Sequence, residues 1–534
     1  MQTFYIISFV RQLILQYSYL TSSRGEMDIT PVFGTVVPGS SPGGSIDIMI
    51  EMSARIPSYV THVTETLGKA GFRAYLVGGC VRDLLMDREP KDWDVTTNAK
   101  PEQIQGLFEQ TFYENEYGTV GIAMGEGIVV EVTPYRLEAK YSDARHPDSV
   151  KFGDSVEEDL KRRDFTINAL AYDVDKGHVL DMYKGQEDIK DKIVRAVGSP
   201  SERFAEDALR MLRAVRFGAE LGFVIENETQ EAIAANSGLL EKISKERIRD
   251  EFVKIIASPN AMQGIVVMQK SGLLKYIVPE LEEGIGIEQN GDHIYHVWEH
   301  NLRALDHAAA NGWPLHVRLA ALFHDVGKPA VRRWSDEKRD WTFYGHDVAG
   351  AKMTRKIMRR LRFSAKQTEV VSLLVRWHLF FSDIEKITLS AVRRLVRNVG
   401  PENVWDLMKV RACDRIGMGR PKEKPYRLRK YEAMIEEAAR APVSVKMLKI
   451  NGGKIMEITG ERPGHRIGWI LHAFLEEVLE DPEKNTEEYL AKRLKELSAL
   501  PDFELKALGE KGQEKKAEKE AEEVGEIRKR HWVK

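Results

Sequence analysis

Cysteine is scarce in this sequence of 534 residues, which contains only Cys80 and Cys413. Two thiols cannot form a disulfide framework, so the composition excludes a disulfide-rich secreted scaffold and predicts a protein of the reducing cytoplasm. An excess of charge of one sign is also absent, because 79 Lys and Arg residues are balanced by 82 Asp and Glu residues. Any binding of nucleic acid must therefore depend on local basic patches.

The sequence also lacks an uninterrupted hydrophobic run long enough to cross a bilayer. Its apolar N-terminal stretch, "MQTFYIISFVRQLILQYSYL", is broken by Arg11 and Gln12 and has no basic segment before it. A Gly/Pro/Ser-rich linker follows, with alternative starts at Met27 or Met49. We therefore expect no membrane association, and we expect residues 1–50 to be disordered or to precede the true start.

The sequence does have an ordinary globular composition, with 43% hydrophobic and 30% charged residues, at a length that predicts several domains. Strand-like and helical segments alternate up to about residue 185, and nearly all later segments have the helical period. These patterns predict an α/β head, with a mixed sheet and flanking helices, followed by an all-α neck, body and tail. The expected boundaries are 51–185 for the head, 186–275 for the neck, 276–440 for the body, 441–505 for the tail and 506–534 for a charged end. We expect the charged end to be either a solvated helix or disordered.

One short segment of the head, "LVGGCVRDLLMDREPKDWDV" (76–95), combines a glycine turn with paired carboxylates. Residues i and i+2 of a strand point to the same face, so Asp92 and Asp94 are expected to project together. Glu131, in the apolar strand "IVVEVTPY", adds a third carboxylate. Three such groups can hold two Mg²⁺ ions for displacement at phosphorus. The alternative is a solvated edge strand beside an ordinary turn.

The glycine turn and the arginine that follows it suit a phosphate. At Gly78 and Gly79 backbone N–H groups can approach its oxygens, and Arg82 can clamp them. Further on, the segment "EDALRMLRAVRF" (206–217) is expected to be one helix on which Asp207 and Arg210 share a face. An aspartate only accepts and an arginine only donates hydrogen bonds, which matches the pairing edges of cytosine and adenine and rejects guanine and uracil. The alternative is a solvated face with an ion pair.

These motifs resemble those of the class II tRNA nucleotidyltransferases, the CCA-adding enzymes, and the related bacterial poly(A) polymerases. "EEDLKRRDFTINALAY" (157–172) is similar to their second motif, and "EDALRMLRAVRF" (206–217) is similar to their nucleotide-selecting motif. "KERIRDEF" (245–252) is similar to the motif that follows it. The resemblance implies a head like that of DNA polymerase β and addition of CCA, or its terminal A, to tRNA from CTP and ATP. It also implies nucleotide contacts for Arg163, Asp164, Asn168, Arg213 and Arg216, with Arg213 and Arg216 touching the triphosphate or supporting the pocket.

A second constellation lies in the body, where "RLAALFHDVGKPA" delivers a His-Asp pair. Imidazole and carboxylate ligands together suit transition metals, and Asp also binds Mg²⁺. The set resembles the HD phosphohydrolase domain, which implies one or two divalent ions (Mg²⁺, Mn²⁺ or Ni²⁺) and hydrolysis of terminal or 2′,3′-cyclic phosphates. The alternative is an RNA-binding body with vestigial histidines. The expected ligands are His300, His324, Asp325, His346, His378 and Asp414; His293 and His296 stand close to His300, which leaves that part of the assignment open.

Other segments bear on the RNA partner. The basic stretches 354–363 and 415–430 are either backbone-tracking surfaces or solvated faces. Residues 136–160 resemble the family's flexible loop, which favours addition of CCA or of A alone, and the tail resembles the region where the tRNA elbow rests. The alternatives are a poly(A) polymerase and an HD phosphohydrolase whose head only binds nucleotide or RNA. The sequence leaves the oligomeric state undetermined.

Overall fold

The structure is a computed structural model that describes residues 52–113, 118–125, 127–136, 152–290, 293–380, 387–439 and 444–533. The segment expected to be disordered (1–50) and most of the expected flexible loop lie outside these residues. The chain divides into two units, residues 1–55 and 56–534. In the first, residues 52–54 are helical. The second contains the head, neck, body and tail.

The head is a mixed sheet with flanking helices, as the sequence predicts. The strands stand in the order β3-β4-β5-β2-β1-β6-β7, and β2 and β5 are parallel neighbours near the centre. The elements are α1 (Ser58–Lys69), β1 (Ala74–Val77), α2 (Gly79–Leu85), β2 (Asp94–Thr97), α3 (Pro101–Leu107), β3 (Thr111–Tyr113), β4 (Val120–Ala123), β5 (Val129–Pro134), α4 (Val156–Lys161), β6 (Leu170–Asp173), β7 (His178–Asp181) and α5 (Gly185–Asp191).

The central strands pack one apolar face of the sheet on the core. Leu76, Val95 and Val132 are register partners on β1, β2 and β5, so they share one face, and all three are fully buried. The opposite face carries polar side chains. The polar residues at the ends of these strands therefore meet at one edge of the sheet, beside the turn at Gly78.

The neck that follows is helical except for two short paired strands, β8 (Ile193–Val194) and β9 (Val224–Ile225), which run parallel. Its helices pack closely on one another, with Leu212, Ile248 and Ile265 buried between them. The helices are α6 (Pro200–Glu206), α7 (Leu209–Leu221), α8 (Asn227–Asn236), α9 (Lys245–Ala257), α10 (Ala261–Lys270) and α11 (Pro279–Glu282).

The body is helical, but it also contains an antiparallel hairpin that the sequence analysis did not predict. "RWSDEKRDWT" (333–342) places Trp334 opposite Trp341, and aromatic cross-strand pairs of this kind stabilise a hairpin. Among the described residues the body contains α12 (Val297–Ala310), α13 (Leu315–Phe323), α14 (Lys328–Val331), β10 (Arg333–Ser335), β11 (Asp340–Thr342), α15 (His346–Arg360), α16 (Ala365–Trp377), α17 (Leu389–Val399), α18 (Val404–Gly417) and α19 (Tyr426–Ala439).

The tail consists of α20 (Gly452–Thr459), α21 (His465–Glu480), α22 (Glu487–Ser498) and α23 (Asp502–Arg530). The charged end is a helix, and Gly509 and Gly512 allow it to lie directly against α21. A Cβ at Gly512 would stand 2.1 Å from the carbonyl oxygen of His472. None of the helices in the described part of the chain combines the length and the apolar character that a bilayer crossing requires.

Candidate nucleotide and metal sites

A cavity of about 400 Å³ opens where the edge of the head sheet faces the neck. Arginines outnumber carboxylates in its wall by six to three, so the cavity is suited to an anion with several charges. The arginines are Arg136, Arg162, Arg163, Arg210, Arg213 and Arg247, the carboxylates are Asp94, Asp164 and Asp207, and the remaining lining residues are Val77, Val95, Thr119, Thr133 and Leu209.

Two of the three predicted catalytic carboxylates lie side by side. Asp94 and Glu131 are register partners on the parallel strands β2 and β5, so their side chains project from the same face of the sheet. Carboxylate oxygens at adjacent positions suit a hard divalent cation, so the residues fit Mg²⁺.

The expectation that Asp92 and Asp94 share one strand is wrong. Strand β2 begins at Asp94, and Asp92 is an exposed residue in the bend before it. Strand β1 ends at Val77 and the chain turns away at Gly78, so β1 offers no partner opposite Asp92. The i,i+2 argument therefore does not apply, although Asp92 remains two residues from Asp94.

Gly78 is required at the turn for two reasons. Its φ of +76° is disfavoured for residues with a side chain, and a Cβ there would lie 2.7 Å from Nη1 of Arg163. The same Cβ position is 3.8 Å from Oδ2 of Asp94, so the turn passes between the arginine and the carboxylate. Gly79 is the first residue of α2, where the chain enters the helix.

Arg82 does not line the cavity but begins a chain of hydrogen bonds behind it. Its Nη1 donates to Oδ1 of Asn168 at 2.7 Å, and Nδ2 of Asn168 donates to Oδ1 of Asp164 at 3.2 Å. Nε of Arg213 then donates to Oδ2 of Asp164 at 2.7 Å. Burial alone would raise the pKa of Asp164, but the charges of Arg213 and Arg210 and these hydrogen bonds outweigh it and lower the pKa to about 2. Asp164 is therefore a permanent anion that fixes Arg213 at the cavity wall.

Asp207 and Arg210 both line the cavity. The expectation that one helix carries both residues is wrong. Asp207 has φ −143° and ψ 104° and ends α6, whereas α7 begins at Leu209. Its Oδ1 accepts a hydrogen bond from the backbone N–H of Leu209 at 3.0 Å. A short acceptor side chain just before a helix satisfies the unpaired N–H groups of the first turn, and this role displaced Asp207 from the helix.

Each member of this pair is held by a partner that sequence reasoning missed. Nη2 of Arg247 donates to Oδ2 of Asp207 at 2.7 Å, and Nη1 of Arg210 donates to Oε2 of Glu206 at 2.5 Å. Glu206 was visible in the same motif as Asp207. Arg247 lies in the motif at 245–252, and only the packing of α9 against α7 brings it to the cavity.

Arg216 is placed behind the cavity rather than in it. Its side chain is 9% exposed, donates to Oε1 of Glu251 at 3.3 Å, and stacks 4.4 Å from the ring centre of Phe217. Burial lowers the pKa of Arg216, against the opposing charge of Glu251. Of the two roles expected for Arg216, the contacts fit support of the pocket.

In the body, the six predicted metal ligands converge. His324 and Asp325 follow the end of α13 and are fully buried. Oδ2 of Asp325 lies 3.0 Å from Nε2 of His300 and 3.3 Å from Nε2 of His324, and its Oδ1 lies 3.2 Å from Nε2 of His346 and 3.6 Å from Nε2 of His378. Oδ1 of Asp414 lies 3.4 Å from Nε2 of His300. Asp325 is thus shared by two clusters of potential ligands, one that includes His300 and Asp414 and one that includes His346 and His378.

The orientation of the rings fits metal binding. The Nδ1 atoms of His324, His346 and His378 lie 2.7–2.8 Å from the carbonyl oxygens of Ala321, Phe343 and Val375, respectively, three residues earlier in each case. Donation from Nδ1 leaves the lone pair on Nε2, which is how proteins orient metal-binding histidines. Nε2 atoms of His300 and His324 approach to 2.7 Å. Two lone pairs at this distance repel each other unless a cation or proton lies between them.

The charges around the cluster also favour a bound cation. Burial favours the neutral form of His324, but Asp325 and Asp414 outweigh it and raise its pKa to about 10. The pKa of Asp325 is held well below its usual value against burial, chiefly by Lys328, whose Nζ lies 2.6 Å away. Lys328 and Arg411 were missed from the sequence, and His293 belongs with His300, Asp325 and Asp414 among the groups that could hold an ion. A second cavity, of about 350 Å³, reaches this cluster.

Three protein-family models match successive parts of the chain. The Poly A polymerase head domain matches residues 74–195, the "Probable RNA and SrmB-binding site of polymerase A" matches residues 222–285, and the HD domain matches residues 292–441. The first two matches contain Asp94 and Arg247, and the third contains the histidine cluster. The order of the three matches is that of the head, the neck and the body.

Individual proteins that resemble this chain are CCA-adding enzymes. A CCA-adding enzyme of Lactobacillus helveticus is 51% identical over 206 residues, 38% of this chain and 51% of that protein, so the chain spans about half the length of the first curated relatives. The crystal structure of the Bacillus stearothermophilus CCA-adding enzyme in complex with CTP aligns with a TM-score of 0.54 at 28% identity, covering 84% of this chain and 97% of that one. A CCA-adding enzyme of Lactobacillus delbrueckii subsp. bulgaricus is 42% identical over 275 residues, 51% of this chain and 67% of that protein. With two thirds of that protein covered at this identity, the chain belongs to the family of the CCA-adding enzymes.

Proposed function

We propose that this protein adds CCA, or its terminal A, to the 3′ end of tRNA, using CTP and ATP and no nucleic-acid template. The observation that carries the proposal is the composition of the head cavity. Asp94 lies at one side beside Glu131, Asp207 and Arg210 lie at another, and six arginines line the same space. A nucleoside triphosphate requires these three features together: a cation site, a base-reading pair and positive charge for phosphate.

The base-reading step follows from hydrogen-bond chemistry. Cytosine and adenine both present an amino donor beside a ring-nitrogen acceptor, and guanine and uracil present the inverse pattern. The carboxylate of Asp207 accepts from the amino group, and the guanidinium of Arg210 donates to the ring nitrogen. A wrong base would place a carbonyl oxygen against the carboxylate and an N–H against the guanidinium, and these two unfavourable contacts are a strong form of rejection.

In the transfer step, the 3′-hydroxyl of the RNA attacks the α-phosphate of the nucleotide and pyrophosphate leaves. Asp94 and Glu131, with Asp92 two residues before Asp94, would hold Mg²⁺, which would supply the positive charge needed to activate the hydroxyl and to stabilise the departing pyrophosphate. Arg163, which packs against Gly78, is assigned to the phosphates, and Asn168 and Asp164 are assigned to the ribose side. Arg213 is held at the wall by Asp164, and Arg82 and Arg216 support the pocket from behind.

The division of labour along the chain is part of the proposal. Residues 51–185 form the catalytic head, 186–275 the neck with the selecting pair, 276–440 the HD-type body, and 441–505 the tail that contacts the tRNA, followed by the charged end at 506–534. The basic stretch 354–363 at the end of α15 is assigned to the RNA backbone. A reaction that consumes CTP, ATP and tRNA places the protein in the cytoplasm.

The test uses three tRNAs that lack CCA, CA or A, each incubated with labelled CTP and ATP, and the products are sequenced. Restoration of CCA on all three supports full addition, and extension of only the last supports A addition. Long runs of A would overturn the proposal in favour of a poly(A) polymerase. Absence of any extension would favour a head that only binds nucleotide or RNA.

We propose a second activity for the body, hydrolysis of terminal phosphates or 2′,3′-cyclic phosphates. The observation that favours it is Asp325, whose two oxygens face two different groups of buried ligands. Divalent ions such as Mg²⁺, Mn²⁺ or Ni²⁺, when bound there, supply a water nucleophile at neutral pH. Lys328 and Arg411, the cations beside the cluster, balance the charge of the phosphate.

A further inference from the structure

An exposed aromatic side chain stands at the mouth of the cavity in the body. Tyr344 lines this cavity and is 73% exposed, and it lies only two residues before His346. When a flat ring stacks on such a tyrosine, apolar area of both rings is removed from water. This burial favours binding. Neither the phosphohydrolase chemistry nor the metal ligands account for it.

The hairpin β10–β11 that precedes Tyr344 is anchored. Nδ2 of Asn290 donates to the carbonyl oxygen of Trp341 at 2.6 Å, and the guanidinium of Arg332 stacks 3.7 Å from the ring centre of Trp341. Trp334 packs edge-on against the same ring at 5.3 Å. The segment leading to Tyr344 is therefore held together by its own aromatic contacts and tied to the body through Asn290.

The ring of Tyr344 itself is positioned by a charged neighbour. Nζ of Lys338, in the turn of the hairpin, donates to the phenol oxygen of Tyr344 at 2.6 Å. Lys338 also lines the cavity. The ammonium also lies 5.2 Å from the ring centre, so the contact fixes the outer end of the ring, which remains 73% exposed.

The rest of the cavity has two chemically different parts. Leu379, which is 50% exposed, and Met418 add apolar surface to the rim. The floor carries the cations Lys328 and Arg411 beside the ligand cluster. An apolar rim over a cationic floor matches a ligand with a flat ring at one end and a phosphate at the other, and a volume of about 350 Å³ suits a small molecule.

We propose that this cavity binds a nucleotide with a terminal phosphate, free or at the 3′ end of an RNA, with its base stacked on Tyr344. The inference rests on the phosphohydrolase function proposed for the body and names the class of its substrate. Tyr344 is the base platform, and Lys338 is the positioning residue for it. Because every base has a flat face, the platform selects nucleotides over base-free phosphates without selecting one base.

The test is calorimetric titration of the full chain, with divalent metal, using adenosine 3′-phosphorothioate, which is hydrolysed slowly, and thiophosphate as the base-free probe. Tyr344→Ala is expected to weaken nucleotide binding about tenfold or more, the usual effect of losing a base stack, and to leave thiophosphate binding unchanged. Tyr344→Phe keeps the ring and retains most of the affinity. Tyr426→Ala, at an exposed tyrosine outside the cavity, is the matched control. Unchanged melting temperatures show that the variants fold.

Unchanged nucleotide affinity in Tyr344→Ala, or thiophosphate binding as tight as that of the nucleotide in the wild type, would overturn the inference. A short RNA with a 3′-phosphate identifies the source: tighter, Tyr344-dependent binding points to an RNA end, and weaker binding points to a free nucleotide. Release of phosphate from adenosine 3′-monophosphate is measured separately. Tyr344-dependent binding without release refutes the phosphohydrolase only, and Tyr344-independent binding and release refute the platform only.

Discussion

Asp207 is bound by Arg247, which lies forty positions further along the chain, through hydrogen bonds of 2.7 and 3.4 Å. The contact joins the end of α6 to α9 across the cavity wall. A carboxylate held by both nitrogens of one guanidinium has a fixed direction. The proposed base-reading pair therefore depends on a third side chain.

Replacement of Arg247 by Ala is expected to free the carboxylate of Asp207 to rotate. The efficiency kcat/KM for CTP and ATP should fall by about 10–100-fold, because fixed geometry at a reacting complex contributes on this scale. Single-nucleotide extension of tRNA measures it. Arg249→Ala, which alters an arginine on the same helix that contacts Asp250 and Arg362 instead, is the control. Equal efficiencies in Arg247→Ala and the wild type would contradict a role for Arg247 in the pocket.

Replacement of Arg210 by Ala removes the donor that should face the ring nitrogen of cytosine or adenine. We expect discrimination against UTP and GTP to decline by about tenfold, the effect of losing one buried polar contact. The measurement is the ratio of kcat/KM for CTP to that for UTP, and for ATP to that for GTP. Arg136→Ala, at another arginine that lines the cavity, should lower efficiency for all four nucleotides without changing the ratios. Unaltered ratios in Arg210→Ala would refute the side-chain template.

The buried pair of Asp164 and Arg213 predicts a dependence of stability on pH. The pKa of Asp164 is lowered from 3.8 to about 2, so its contribution is complete above pH 4 and is lost as the pH falls towards 2. Wild type should exceed Asp164→Asn in stability by roughly 2 kcal/mol at pH 6, and the gap should close between pH 4 and 2. Urea denaturation at several pH values measures it, with Asp175→Asn as an exposed control. A gap that widens on acidification would have the wrong sign.

Asp325 is expected to control the body without affecting the head. Asp325→Ala removes the oxygens shared by both ligand clusters, so phosphate release should drop more than 100-fold, while addition to tRNA stays within about twofold of the wild type. Asp336→Ala, at an exposed carboxylate of the nearby hairpin, controls for the change of charge. Parallel loss of both activities would mean that the two sites are not separate.

Local patterns predicted much of this architecture because they depend on neighbouring residues. The glycine turn, the strand carrying Glu131 and the His-Asp pair after α13 are set by short-range preferences for turns, alternation and helical period. The prediction that one helix holds both Asp207 and Arg210 was wrong because of another short-range interaction. Asp207 satisfies the N–H of Leu209, a cap that the periodicity of apolar residues does not reveal.

Partners supplied by the tertiary fold could not be predicted. Arg247 reaches Asp207 only because α9 packs on α7, and Lys328 reaches Gln289, 39 positions earlier, only inside the folded body. The displacement of Asp92 from β2 depends on where the neighbouring strand ends, which is a property of the sheet rather than of the sequence around Asp92. The ligand cluster was predicted from the resemblance of its histidines and aspartates to the HD domain, and the fold brings these residues together.

The most direct test of the account is extension of a tRNA lacking CCA, with labelled CTP and ATP, by the wild type and by Asp94→Ala, alongside Asp175→Ala as the control. The account predicts that the wild type and the control extend the tRNA, and that Asp94→Ala adds nothing but binds the tRNA with the same Kd, because only the cation site at the edge of the sheet is lost. Extension by Asp94→Ala at the wild-type rate would contradict it.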